Sequence, residues 1–232
     1  MPRRRPRDRF QQLLDAGLRV FGTRGVRRAR MADIAREMGL SPGSLYNYVE
    51  SKDALFHWII ENAVGDGPVE PPDTLPIRLP GANETERRLR AQLEQGFHLP
   101  TFEAALARRR VGDARRELDS IARELYDRIE RNRRPMVLVE RSALDLPDLF
   151  ALYFVSLRRD FFDRFARLVA RRQASGHYRA DLDPVVAARF FVEGITYFAR
   201  HRFGDVDPKL LPDDDRVRED VVRRVVAALV PD

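Results

Sequence analysis

The segment Met31–Lys52, MADIAREMGLSPGSLYNYVESK, constrains what this chain can fold into more than any other. Met31, Ile34, Ala35 and Met38 recur at helical spacing and can face a core. Gly39 supplies the backbone freedom to leave a helix through a left-handed position. Leu40 plugs the corner. Ser41 is a good N-cap, and Pro42 stands at the first helical position, where its missing N–H costs nothing. Only Leu45, with Tyr48 or Val49, then looks inward, so Ser44, Tyr46 and Asn47 point out. The pattern predicts two short helices joined by a tight turn, the second over residues 42–48. A helix that short and polar on one side does little to stabilise a domain, but it suits a DNA major groove.

Nearly all of the remaining chain reads as helix, without the sustained alternation of strands. Phe10, Leu13, Leu14, Gly17, Val20 and Phe21 form one apolar stripe, ended near Gly22 or Gly25. Ser51 caps a fourth helix with Ala54, Leu55, Trp58, Ile59 and Ala63 as its apolar positions. Residues 65–83 carry five prolines and form the long non-helical connection, a natural seam. Further helices are expected over 84–98, 101–109, 113–133, 135–142, 147–175, 184–202 and 213–229. The segment from Phe150 lines up Phe150, Phe154, Leu157, Phe161, Phe165 and Leu168. The segment from Asp183 is apolar on two sides, through Ala187, Phe191, Ile195 and Phe198 and through Val186, Phe190 and Tyr197. Such a helix must be buried both by its own fold and by something else.

Charge is distributed unevenly. Residues 1–53 hold 12 basic and 6 acidic side chains, whereas residues 54–232 hold 30 of each. The whole excess of +6 therefore sits beside the helix-turn-helix pattern, as a polyphosphate partner requires. Arginine outnumbers lysine 40 to 2, a codon-bias signature that explains the residue type but not its confinement to one end. The Pro2–Arg9 run reads as a frayed solvated terminus or as an arm for the minor groove. Cysteine is absent, which excludes disulfides and thiolate metal sites. No signal-peptide pattern and no membrane-length apolar run is found, so a soluble, cytoplasmic protein without membrane partners is expected.

The chain resembles the TetR-type transcriptional regulators, through MADIAREMGL at 31–40 followed by SPGSLYNYVESKDAL at 41–55. The resemblance implies an all-α fold of about nine or ten helices. In it, a helix-turn-helix head over residues 1–56 joins a larger helical domain over 57–232 that binds a small-molecule effector and forms a homodimer. It further implies that Pro42, Gly43, Ser44 and Asn47 face base edges or the flanking sugar-phosphate, and that Ser41 is among the DNA-binding residues. Tyr46 and Tyr48 would bond phosphates, and Lys52 would reach a phosphate at the start of the fourth helix. Where the family usually places Thr or Ser to cap the second helix, this chain has Ala29-Arg30. The lost hydroxyl typically costs about 1 kcal/mol, part of which Asp33 can offset through the helix dipole. Arg30, with Arg27 or Arg28, is the candidate to replace the hydroxyl–phosphate contact.

Candidate effector contacts are Trp58, Phe97, Phe102, Tyr126, Arg141 and Tyr153, with Arg141 and Asp145 as candidate buried polar groups. Candidate dimer contacts are Phe161, Phe165, Leu168, Phe191 and Phe198. His57, His98, His177 and His201 are scattered without metal-ligand spacing, and Ser142 and Ser156 have no histidine nearby in sequence. No cofactor, metal or catalytic residue is expected. The expected function is a ligand-responsive repressor of a near-palindromic, double-stranded operator. An activator or effector-independent DNA binder remains open beside it, and so, more remotely, does an all-helical enzyme or small-molecule carrier.

Overall fold

The computed structural model describes residues 6–63, 69, 71–204 and 213–231, and among these the chain is helical without a strand. Its helices are α1 (Pro6–Arg28), α2 (Met31–Glu37), α3 (Pro42–Leu45), α4 (Lys52–Ala63), α5 (Ala82–Phe97) and α6 (Pro100–Ala107). They continue as α7 (Ala114–Arg131), α8 (Arg133–Ala143), α9 (Pro147–Phe150), a π-helical stretch (Ala151–Arg158), α10 (Arg159–Ala174), α11 (Pro184–Ala199) and α12 (Asp214–Leu229). The expected all-α class holds. Residues 1–5, the core of the Pro2–Arg9 run, lie outside the described residues, as do most of 64–70 and all of 205–212.

The chain divides into two compact units, Met1–Gly96 with Arg134–Ser156, and Phe97–Arg133 with Leu157–Asp232. In the first, the α1 stripe is buried as its spacing predicts, with Leu13 and Phe21 fully enclosed. Phe10 meets Trp58 edge-on at 5.9 Å, and Phe21 meets Phe56 in the same way at 5.9 Å. Gly17 lets α4 approach α1, because a Cβ there would lie 2.0 Å from Ile59 Cδ1. Each large side chain so enclosed stabilises the fold by roughly 1.5–3 kcal/mol.

In the second unit α11 packs on α7, α10 and α12. Phe102, Phe165 and Phe191 stack in sequence, with ring centroids 5.3 and 4.9 Å apart. Asp183 accepts from the N–H groups of Val185 and Val186, and Asp213 from that of Arg216, so α11 and α12 start where capping residues predict. The end of α6 is closed from another helix: Arg171 donates to the carbonyls of Ala105 and Leu106, and Arg172 to those of Ala105 and Arg108. Four orphan carbonyls are the usual debt of a helix C-terminus, and two consecutive arginines of α10 meet most of it here.

The predicted continuous helix over 147–175 is interrupted. A π-helical stretch separates α9 from α10; Phe150 is exposed, while Phe161, Phe165 and Leu168 are buried within the second unit.

Candidate nucleic-acid interface

The motif is assembled from local rules. α2 ends in a paired-bond turn: the Gly39 N–H donates to the Arg36 carbonyl at 3.0 Å and the Leu40 N–H to the Ala35 carbonyl at 2.8 Å. Gly39 takes φ +66°, the left-handed value this turn requires. Ser41 then caps α3, its Oγ accepting from the Ser44 N–H at 3.2 Å and lying 2.7 Å from the Ser44 hydroxyl. Ile34, Ala35, Leu45 and Val49 are fully enclosed and lock the pair of helices to the core.

α3 is shorter than its predicted span of 42–48. The α-helix ends at Leu45, and Tyr46, Asn47 and Tyr48 follow in a turn whose N–H groups donate three residues back, to Gly43, Ser44 and Leu45. This tightening suits a segment with a single inward anchor, Leu45. Ser41, Pro42, Gly43 and Asn47 are exposed, Tyr46 is 49% exposed, and Ser44 and Tyr48 are half-buried. The Tyr48 ring rests edge-on against Phe10 at 6.0 Å. From Ser41 to Tyr48, every residue but the enclosed Leu45 is thus exposed or half-buried.

The entrance to α2 is held without a hydroxyl. Arg30 occupies the N-cap with extended backbone (φ −116°, ψ 145°), makes no side-chain cap bond and is exposed. Three other contacts fix the reversal before it. Gly25 breaks α1 at φ +74°, and the Ala29 N–H donates back to its carbonyl at 3.1 Å. Asp33 does more than face the helix dipole: it is buried and accepts from Arg24 at 2.7 Å and Arg36 at 3.2 Å, tying α2 to α1. The Lys52 ammonium donates to the carbonyls of Arg27 at 3.2 Å and Ala29 at 3.3 Å. A cation opposes the positive N-terminus of its own helix, and here it runs back to the negative end of α1. Two of its three N–H groups are used by these carbonyls. Sequence reasoning placed Lys52 at this edge but missed the carbonyls it holds.

The candidate effector residues are divided between the two units. Trp58 and Tyr153 are buried in the first unit, where the Tyr153 hydroxyl donates to Glu140 at 3.2 Å. Arg141 is exposed, contrary to its expected burial, because Ser142 and Ala143 take the inward positions of α8. Asp145 is half-buried and its carboxylate would meet a Cβ at Gly25 at 2.9 Å. In the second unit Phe102 and Tyr126 are enclosed by their own core, and Phe97 is half-buried 5.9 Å from Phe161. A cleft of about 280 Å³ in that unit is lined instead by residues such as Thr101, Arg108, Asp113, Arg116 and Glu117.

The candidate dimer residues separate too. Phe161, Phe165, Leu168 and Phe191 are buried by their own unit, and Phe198 is half-buried. The other apolar side of α11 is open, with Val186, Phe190 and Tyr197 at 63%, 58% and 45% exposure. Periodicity had found both sides of this helix without telling which one the chain itself covers.

Among the described residues no group of three or more His, Asp or Glu side chains could hold a metal ion, and no helix is long and apolar enough to cross a membrane.

Residues 13–59 match the family model of bacterial regulatory proteins of the tetR family. The HTH-type transcriptional regulator AcrR of Shigella flexneri is 30% identical over 150 residues, covering 59% of this chain and 67% of that protein. The ketosteroid transcriptional regulator KstR2 of Mycobacterium tuberculosis is structurally similar, with a TM-score of 0.63 over 99% of this chain and 98% of that one, at 16% identity. SCO3833 of Streptomyces coelicolor A3, a member of the TetR transcriptional regulator family, gives a TM-score of 0.57 over 93% of this chain and 90% of that one, at 20% identity. At such identities the structural likeness concerns the fold.

Proposed function

This chain belongs to the TetR family of bacterial regulatory proteins, and from that premise we propose that it is a ligand-responsive repressor binding a near-palindromic operator as a homodimer. The observation that carries the reading is the Ser41–Tyr48 surface. Leu45 apart, it is exposed or half-buried on a capped turn, and it lies within residues 1–53, which hold the whole positive excess.

In this reading residues 1–56 form the DNA-binding domain and 57–232 the effector-binding and dimerisation domain. Pro42, Gly43, Ser44 and Asn47 meet base edges or sugar-phosphate, while Ser41, Tyr46, Tyr48, Lys52 and Arg30 contact the backbone. Two heads related by a two-fold axis demand two half-sites of matching spacing. The open side of α11, through Val186, Phe190 and Tyr197, is the surface that a second copy covers. A small molecule bound in the helical domain shifts the heads away from operator spacing, and a coupling of about 1–3 kcal/mol lowers operator affinity roughly 5- to 150-fold. A DNA partner places the protein in the cytoplasm.

Selection of bound genomic fragments, followed by anisotropy titration of the enriched duplex, tests this. The expected result is a near-palindromic sequence bound far more tightly than a scrambled duplex. Equal affinity for both would overturn the reading. Transcription from the adjacent promoter, measured with and without the gene, then separates a repressor from an activator.

A further inference from the structure

The connection between α4 and α5, which the sequence marks as a seam, returns to the DNA-reading surface. Ile77 forms an isolated parallel bridge with Val49. The Ile77 N–H donates to the Tyr48 carbonyl at 2.8 Å, and the Glu50 N–H donates to the Ile77 carbonyl at 3.0 Å. The Glu50 carboxylate accepts from the Leu79 N–H at 2.7 Å, and Arg78 lies 4.0 Å from its other oxygen. Ile77 and Val49 are both buried, at 7% and 0% exposure.

These contacts fall where the motif needs them. The upstream end of α3 is fixed twice, by the Gly39 turn and by the Ser41 cap. Its downstream end is a four-residue helix and a turn seated by Leu45 and Val49, and a helix that short has no stability of its own. Tyr48 is the point of attachment: its ring leans on Phe10 and its carbonyl is held by Ile77. We propose that residues 76–79 act as a positioning strap for DNA recognition, with Ile77 and Glu50 as its positioning residues. They hold the 46–50 turn at the height from which Tyr46 and Asn47 meet the DNA. This rests on the reading of Ser41–Tyr48 as the DNA surface.

Glu50→Ala and Glu50→Gln remove the same charge, but only glutamine keeps an acceptor for the Leu79 N–H. The affinity ratio between the duplex enriched by wild-type protein and a scrambled duplex of equal length is the readout. Glu50→Gln is expected to keep the wild-type ratio and Glu50→Ala to lower it about fivefold, the scale of one lost hydrogen bond. Ile77→Asp, which drives the strap off its buried seat, is expected to lower it tenfold or more. Equal ratios for Glu50→Ala and Glu50→Gln would overturn the strap even if Ile77→Asp fails to fold. A wild-type protein that enriches no sequence is a different failure, seen before any variant is made, and it removes the DNA reading itself.

Discussion

Arg172 and Glu117 form a bidentate pair shut away from solvent. The guanidinium Nε and Nη2 donate to the two carboxylate oxygens at 2.8 and 3.0 Å, with side chains 1% and 4% exposed. Removing one partner leaves a buried charge, at a cost of about 3–5 kcal/mol. Arg172→Met is therefore expected to lower the urea midpoint sharply. Arg172→Met with Glu117→Leu should recover at least half of that loss. A double variant no more stable than the single one would show that the carbonyls at the end of α6, and not Glu117, are what Arg172 serves.

Lys52 holds the carbonyls of Arg27 and Ala29 at the edge of the proposed DNA surface. Lys52→Gln is expected to weaken binding to every duplex and to reduce the slope of log affinity against log salt by about one. Anisotropy titrations across a salt series measure both. Weaker binding with the slope intact would assign Lys52 to the chain reversal alone.

Arg30 stands exposed at the uncapped start of α2. Arg30→Ala should cost operator and scrambled duplex the same factor and again flatten the salt slope by about one. An unchanged slope makes Arg30 an ordinary solvated side chain.

The open side of α11 predicts the seam between subunits. Phe190→Glu is expected to yield folded monomers by light scattering and to weaken operator binding, because half-sites are then engaged singly. Phe191, its neighbour in sequence, is fully buried, so Phe191→Glu should unfold the protein instead. Persistent dimers in Phe190→Glu would move the seam elsewhere.

Burial pushes the His57 imidazole below its ordinary value of 6.5, and Asp53 opposes this only in part. The unfolded chain then holds the proton more firmly than the native one. Stability is complete above pH 6.5 and declines as the pH falls from there toward the lowered native value. Urea midpoints taken from about pH 7.5 to 5.5 should show this decline, and His57→Gln should flatten it.

Wherever short-range chemistry decides, the fold was legible. Gly39, Ser41, Ser51, Asp183 and Asp213 each end or start a helix where their side chains or backbone freedom predict. What escaped was set by distant partners. Nothing local to Ile77 announces that Val49 will receive it, beyond its place between Leu75 and Leu79 in a proline-rich run. A π-helical turn differs from an α-helical one by which carbonyl an N–H finds, and a hydrophobic period of 3.6 does not register it. The two apolar sides of α11 look alike in sequence, because burial by one's own chain and by a partner select the same residue types. Tyr126 and Phe102 show the same ambiguity for a pocket, being aromatic core that also had the composition of a ligand wall.

The tether of Lys52 to the end of α1 also has a chemical consequence. This chain has two lysines, the other being Lys209, so its side-chain amines are nearly as scarce as its absent thiols. An amine-directed acylating reagent would find in Lys52 a nucleophile whose accessibility changes when the reversal between α1 and α2 opens or when a polyanion covers it. Arginine elsewhere stays silent to that reagent. The residue that anchors the entrance to the motif is thereby also a built-in label for its occupancy, readable by peptide mass without altering the sequence.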